Sequence, residues 1–143
     1  MPVTKIGKSK EGFALHYSVG AVIKRADKYF LLDRANEPFG FACVAGHVEE
    51  GETVEFALAR ETEEESGLQI ISKKLLFEEE VEKNKCSRGV FSHYWYVFDC
   101  ETTGETRLDS SEAKSIGWFT VEEIKKLKLE PIWEYWFKKM GVI

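Results

Sequence analysis

Residues Gly46 to Leu68 read GHVEEGETVEFALARETEEESGL and carry the clearest structural signal in the sequence. From position 53 to 66 its apolar residues recur at helical spacing. Thr53 is a typical N-cap and Gly67 a typical residue at which a helix ends. The segment therefore predicts a helix over residues 53–66 that follows a backbone bend near Gly46.

Three glutamates, Glu61, Glu64 and Glu65, continue the face that is apolar at the start of this helix. At a spacing of 0, 3 and 4 their carboxylates can converge on one point and offer the hard oxygen ligands that suit Mg²⁺ or Mn²⁺. The alternative is a solvated helix surface, the usual fate of a charge run. Because a face that begins buried stays against the protein for another turn, where isolated carboxylates are costly, we favour a metal or acid–base site.

The negative charge of the chain is concentrated around this helix. The formal net charge is -5, and residues 49–65 hold eight glutamates and one arginine, Arg60, which leaves about +2 for the rest. Arg60 is placed to orient one of the carboxylates, and Glu52 lies near the helix start. A nucleic-acid polymer is not expected as a partner, because binding it requires clustered lysine and arginine.

The flanking sequence predicts strands on both sides of the helix. Residues 18–25 and 29–34 read as a hairpin, 36–40 as a loop and 41–45 as a short strand that leads into Gly46. Further strands are predicted at 70–80, 90–100 and 116–119, the last followed by a short capped helix. Pro131 suits the first turn of a final helix, whose aromatic stripe is expected to be core: Trp133, Trp136, Phe137 and Met140. This order favours an α+β fold with a mixed sheet between helices.

Length and composition predict one domain over residues 1–143, with residues 1–12 as a flexible start. The sequence has no signal peptide and no run of 18 apolar residues, so we expect a cytoplasmic protein that does not enter a membrane. Cys43, Cys86 and Cys100 are odd in number and widely spaced, which predicts reduced thiols. Exposed strands and abundant aromatic residues are compatible with a homodimer.

The segment 46–68 resembles the signature of the Nudix (MutT-like) hydrolases. That signature is Gly, five residues, Glu, seven residues, Arg-Glu, an aliphatic residue, any residue, Glu-Glu, any residue, Gly and an aliphatic residue. Eight positions match, and two departures are seen: Thr62 replaces an aliphatic residue, and Val44-Ala45 replaces the usual Pro-Gly before the signature. The resemblance implies an α/β/α sandwich and hydrolysis of a diphosphate bond in a small phosphoanhydride, by preference a nucleotide.

The resemblance also assigns roles to the matching residues. Glu61 and Glu65 would bind Mg²⁺ or Mn²⁺, Glu64 would be a ligand or the general base, and Gly46 would contribute its backbone. Glu52 would support this shell and Arg60 would pair with a helix carboxylate. Some relatives place a further glutamate late in the chain, and Glu112 is the candidate here; an ordinary surface role for Glu112 is an equal alternative.

Substrate choice is less constrained by the sequence. Phe39 and Phe41 are candidates for stacking on a base, with a core or loop role as the alternative. The family's marks for diadenosine polyphosphates and ADP-ribose would fall near residues 83–86 and are absent, which leaves a nucleoside di- or triphosphate, or a related nucleoside-diphosphate-linked compound, as the default. A non-nucleotide diphosphate and a module that binds nucleotides without turnover are the alternatives.

Overall fold

One long strand, β2 (Ala14–Arg25), organises the sheet of this computed structural model, which describes residues 3–82 and 90–143. β2 pairs antiparallel with β1 (Ile6–Lys8), β3 (Lys28–Arg34) and β5 (Val44–His47). On its other edge β2 runs parallel to β7 (Ser92–Thr103). Both edges of β2 are thus hydrogen-bonded, and its nearly continuous run of buried residues shows that both faces of the strand are covered as well.

The remaining strands extend the sheet outward. β6 (Gln69–Val81) pairs antiparallel with β7, while β4 (Phe41–Ala42) and β8 (Ala113–Thr120) pair antiparallel with β3. The result is a mixed sheet with the order β4-β3-β2-β7-β6, to which β1, β5 and β8 add. The predicted hairpin is confirmed, with Lys24 opposite Tyr29.

Helices cover the two faces of this sheet. Because side chains alternate along a strand, Val19 and Ala21 of β2 face α1 (Val54–Ser66), where they pack with Ala57 and Leu58. Val22 faces the opposite side and α3 (Pro131–Met140). α2 (Val121–Ile124) contributes Ile124 to that second cluster. The predicted α+β sandwich with a mixed sheet between helices is confirmed.

The helix ends agree with the sequence. The Thr53 hydroxyl accepts a hydrogen bond from the Phe56 amide at 3.1 Å, and Gly67 ends α1 in the left-handed region at φ 79°. Thr120 and Glu123 form the predicted capping box of α2. In α3 the residues Trp133, Trp136 and Phe137 are fully buried, so the aromatic stripe is core.

Two local predictions are wrong. The apolar run at 41–45 is not one strand: β4 pairs with β3, β5 pairs with β2, and Cys43 lies between them. Hydrophobicity marks these residues as buried but does not encode which strand each will pair with. The start of the chain is not loose from Thr4 to Lys8, because β1 pairs with β2 and the Lys5 amide donates to the Val48 carbonyl at 2.9 Å.

Cys43 and Cys100 are buried free thiols, while Cys86 lies outside the described residues. Burial raises the pKa of the Cys43 thiol well above its usual value and that of Cys100 to about 12, so both thiols are unreactive as nucleophiles. Across residues 3–82 and 90–143, no helix has the length and apolar character needed to cross a membrane.

Candidate active site

The acidic end of α1 lies directly on the backbone of β5. β5 is fixed in place by β2, with Ala45 opposite Gly20 and Gly46 opposite Val19. The amide of Ala45 donates a hydrogen bond to Oε1 of Glu65 at 2.9 Å. At Gly46 the space that a Cβ would occupy is filled by the Glu61 carboxyl group, whose Cδ would be only 2.0 Å away. The glycine at position 46 is therefore required so that the Glu61 carboxylate can reach the strand.

Two of the three predicted carboxylates are removed from solvent at this contact. Burial is the main cause that raises the pKa of Glu61 to about 7 and the pKa of Glu65 well above its usual value. Glu61 adds to the rise at Glu65, and Glu64 adds to the rise at Glu61. Two buried carboxyls that repel each other in this way form a site that favours a bound cation or proton.

Arg60 links four groups of the site through one guanidinium. Its Nε and Nη2 donate to the two oxygens of Glu52 at 2.6 and 2.9 Å. Its Nη1 donates to Glu61 at 2.7 Å and to Glu64 at 3.3 Å, and its Nη2 also donates to the carbonyl of His47 at 3.0 Å. The pairing lowers the pKa of Glu52, which is therefore ionised at neutral pH. Arg60 thus fixes the loop before α1 to the acidic face of the helix.

Glu64 differs from its two neighbours in exposure. Its side chain is 58% exposed, although it shares the Arg60 guanidinium with Glu61. The three glutamates are therefore brought to one region, but Glu61 and Glu65 face the strand while Glu64 faces solvent.

Glu112 reaches the same region from the loop before β8. It is exposed, and its charge contributes to the raised pKa of both Glu61 and Glu65, which places it near them. Its carbonyl accepts a hydrogen bond from the Ala35 amide at 2.9 Å, and the Asn36 side chain donates to the Ser111 carbonyl at 2.9 Å. The loop at 35–40 and the loop at 109–112 are thus joined beside the carboxylates.

The two candidate aromatic residues have different surroundings. Phe39, in the 35–40 loop, is 46% exposed, with the Lys114 ammonium 5.2 Å from its ring centroid. Phe41 is half-buried and meets Phe119 edge to face at 5.5 Å, within the cluster under α3. Phe39 has an exposed ring that can receive a base, whereas Phe41 is engaged in packing.

Thr62, which departs from the family signature, is fully buried and donates its hydroxyl proton to the Leu58 carbonyl at 2.8 Å. This substitution therefore lies in the core and not among the carboxylates. Arg34 is a further charged residue near the site, and its positive charge lowers the pKa of Glu65 against the effect of burial. No sequence signal points to it, because Arg34 ends a strand like many surface arginines.

Comparison with known proteins identifies the family to which this chain belongs. The model of the NUDIX domain matches residues 14–140, so the chain belongs to the Nudix family. An ADP-ribose pyrophosphatase of Methanocaldococcus jannaschii is 34% identical over 116 residues, which cover 79% of this chain and 66% of that protein. The chain thus spans just under two thirds of that relative.

Solved structures share the fold. The NUDIX domain of Shewanella oneidensis NrtR, determined with ADP ribose, superimposes with a TM-score of 0.75 at 15% identity, covering 94% of this chain and 92% of that one. A MutT NUDIX hydrolase from Burkholderia pseudomallei gives a TM-score of 0.68 at 26% identity, covering 76% and 85%.

Proposed function

We propose that this chain is a divalent-metal-dependent hydrolase that cleaves the diphosphate bond of a small nucleoside-diphosphate-linked compound or nucleoside triphosphate. The observation that carries the proposal is the placement of Glu61 and Glu65 against the backbone of Ala45 and Gly46, with Glu112 close by. Family membership supports the reaction class.

The residues present fit Mg²⁺ or Mn²⁺. Glu61, Glu65 and the backbone at Gly46 offer hard oxygen donors in one place. Burial, and after it the neighbouring carboxylates, raises the pKa of both carboxyl groups, so a bound cation would stabilise their charged forms. A bound divalent ion supplies charge neutralisation for the phosphate groups and lowers the pKa of an attacking water. A diphosphate could not otherwise approach a segment of net charge -7.

The remaining roles, which are to position the carboxylates and to accept a proton, fall to residues of the chain. Arg60 holds Glu52, Glu61 and the His47 carbonyl in fixed positions, so the carboxylates need no reorganisation when substrate arrives. Glu64 is exposed and oriented by Arg60, so it is our first candidate to accept a proton from the attacking water. Glu112, on the joined loops, is the second candidate.

Two observations support a nucleotide as the substrate. Phe39 offers an exposed ring, as stacking on a nucleobase requires, on the 35–40 loop that is hydrogen-bonded to the loop of Glu112. The ADP-ribose pyrophosphatase of M. jannaschii and the NrtR domain determined with ADP ribose place compounds of this kind within the family. The sequence mark for ADP-ribose is absent near residues 83–86, but these two proteins make ADP-ribose the first compound to test, followed by nucleoside triphosphates.

The test is release of phosphate or nucleotide product from a panel of ADP-ribose, nucleoside triphosphates, isoprenoid diphosphates and sugar-linked diphosphates, with Mg²⁺ or Mn²⁺ added or chelated. We expect metal-dependent turnover of at least one nucleotide, reduced at least about 100-fold by Glu65→Gln and by Glu64→Gln. Glu63→Gln is the matched control, because Glu63 is an exposed residue of the same helix outside the cluster. If Glu64→Gln and Glu65→Gln turned over substrate as fast as Glu63→Gln, the roles proposed for Glu64 and Glu65 would be contradicted.

The same panel separates the alternatives. Turnover of non-nucleotide diphosphates alone would show that the nucleotide assignment is wrong and the reaction class correct. Binding of ADP-ribose without turnover under any metal would indicate a module that binds nucleotides without cleaving them. If only one of Glu64→Gln and Glu112→Gln lost activity, that residue would be identified as the general base. An equal loss in both would show that the reaction requires both glutamates.

A further inference from the structure

All three histidines of the chain meet at one place. His16, His47 and His93 are far apart in the sequence, yet one ring nitrogen of each lies within 4.8 Å of the other two. His16 and His93 are buried, with His93 only 1% exposed, and His47 is partly exposed at the edge of the group.

The sheet register brings these residues together on three adjacent strands. His16 of β2 is directly opposite His93 of β7, and His47 of β5 is opposite Ser18, two residues along β2 from His16. Residues two apart on a strand share a face, so all three imidazoles project to one side of the sheet. The backbone of three hydrogen-bonded strands therefore fixes the arrangement, and it does not depend on a mobile loop.

This side is opposite to the carboxylate site. The Cβ direction of Gly46 points at Glu61, so the adjacent residue, His47, points through the other face. On that face Gly20 of β2 meets Trp133 of α3. The histidine cluster and the glutamate cluster are thus separate sites on the two faces of the same three strands.

The ring geometry suits a common metal ion. Ring centroids are 4.9, 5.7 and 5.8 Å apart. Three imidazoles that bind one tetrahedral Zn²⁺ at about 2.0–2.1 Å place their centroids about 5 Å apart and their bound nitrogens about 3.3 Å apart. The observed centroid distances exceed this spacing by at most about 0.8 Å, and the nitrogens, which lie within 4.8 Å of one another, would approach by at most about 1.5 Å on binding an ion.

We propose that His16, His47 and His93 form a second metal site that binds a divalent transition metal ion of the Zn²⁺ type, with one coordination position left for water or an anion. Imidazole nitrogen suits Zn²⁺, Co²⁺ and Cu²⁺, whereas Mg²⁺ prefers oxygen donors. The two sites therefore select different metals by the chemistry of their ligands. His47 is the one member of the group that is partly exposed.

This second site is also linked to the carboxylate site, through the backbone of His47. The carbonyl of His47 accepts a hydrogen bond from Arg60, the residue that fixes Glu52 and Glu61. An ion bound by the His47 ring holds the residue whose neighbour, Gly46, supports Glu61. Its first consequence is therefore structural: the bound ion restrains β5 relative to β2 and β7.

The test uses metal-stripped protein of residues 1–143 in excess Mg²⁺, so that the oxygen ligands are occupied. Co²⁺ is added as a spectroscopic probe of coordination geometry, and Zn²⁺ is added in parallel while the ¹⁵N signals of the imidazoles are recorded. Because the chain has three histidines, all imidazole signals belong to the cluster. We compare His47→Gln, which changes the most accessible ligand, with Glu65→Gln, which changes the carboxylate site on the opposite face.

We expect one Co²⁺ per chain with the absorption of a tetrahedral site, and a shift of all three imidazole signals on addition of Zn²⁺. His47→Gln should weaken Co²⁺ binding at least about 100-fold, while Glu65→Gln should change it less than about twofold. Imidazole signals that stay unchanged at saturating Zn²⁺ would overturn the proposal. So would Co²⁺ binding that survives in His47→Gln and is lost in Glu65→Gln. The NMR measurement on the unmodified protein decides the matter if a histidine variant does not fold.

Discussion

Replacing Gly46 by alanine tests the contact between β5 and the Glu61 carboxylate of α1. The new Cβ would lie 2.0 Å from Cδ of Glu61 and 2.3 and 2.4 Å from its two oxygens, where ordinary van der Waals contact begins at 3.4 Å. The carboxylate must therefore move by about 1.4 Å. Misplacement of a catalytic group by about 1 Å can cost about 100-fold in rate, which corresponds to about 2.7 kcal/mol of transition-state stabilisation.

The assay is the initial rate of diphosphate cleavage at saturating Mg²⁺, with the free energy of unfolding measured by urea on the same preparation. Gly20→Ala is the matched control, because Gly20 pairs with Ala45 but its added Cβ would meet Trp133 at 2.9 Å on the opposite face. We expect the control to lose about 1–3 kcal/mol of stability through overpacking and to keep its rate per folded molecule. Gly46→Ala should show the reverse pattern, with a large loss of rate.

A double-mutant cycle then isolates the contact. In a Glu61→Ala background the added methyl group of Gly46→Ala has no carboxylate to displace, so it should cost less than about threefold in any residual activity. A Gly46→Ala enzyme whose rate is within about threefold of that of the unmodified enzyme would contradict this prediction. An equal loss in both backgrounds would show that the methyl group acts through the strand and not through Glu61.

Three further predictions follow from single contacts. Arg60→Lys cannot reproduce the paired hydrogen bonds to Glu52, so urea unfolding should show a loss of about 2 kcal/mol, and no loss would contradict the network. Burial raises the pKa of Glu130, at the start of α3, to about 7, so its neutral carboxyl group stabilises the fold fully below about pH 4.5 and this stabilisation is lost as the pH rises through 7. Glu130→Gln should remove this pH dependence and be more stable than the unmodified protein by up to about 3 kcal/mol at pH 8, whereas parallel curves of unfolding free energy against pH would contradict the prediction. Thr53→Ala removes the cap of α1 and should lower the unfolding free energy by about 1 kcal/mol, with a Tm that falls by about 2–4 °C; an unchanged Tm would count against the cap.

The helices and most strands could be predicted because their signals are local. Thr53 and Gly67 define α1 by the hydrogen-bonding capacity of a threonine hydroxyl and the conformational freedom of glycine, and both are read without knowledge of the fold. Pro131 and the aromatic spacing after it identify α3 in the same way.

The division of residues 41–47 between two strands could not be predicted, because pairing is decided by distant partners. Phe41 pairs with Asp33 and Val44 pairs with Ala21, although both lie in one apolar run. The same limit applies to the histidines. His16 and His93 become neighbours only through the parallel pairing of β2 with β7, which no local pattern of the sequence reveals.

For the carboxylates, the shared helix face could be predicted from the sequence, but the burial of each side chain could not. Helical spacing brought Glu61, Glu64 and Glu65 to one face, and the structure places them in one region. Spacing did not predict that Glu65 is buried while Glu64 is 58% exposed, because that difference depends on where β5 crosses the helix. Nor could it place Glu112 nearby, since that depends on the contact between the loops at 35–40 and 109–112.

The most direct test of the metal-dependent mechanism is a crystal structure of the protein grown with Mn²⁺, with the ion located by its anomalous scattering. We expect an anomalous peak that marks an Mn²⁺ ion bound to carboxylate oxygens of Glu61 and Glu65, beside the backbone of Gly46. A structure in which these two side chains turn into solvent and no peak lies between them would contradict it.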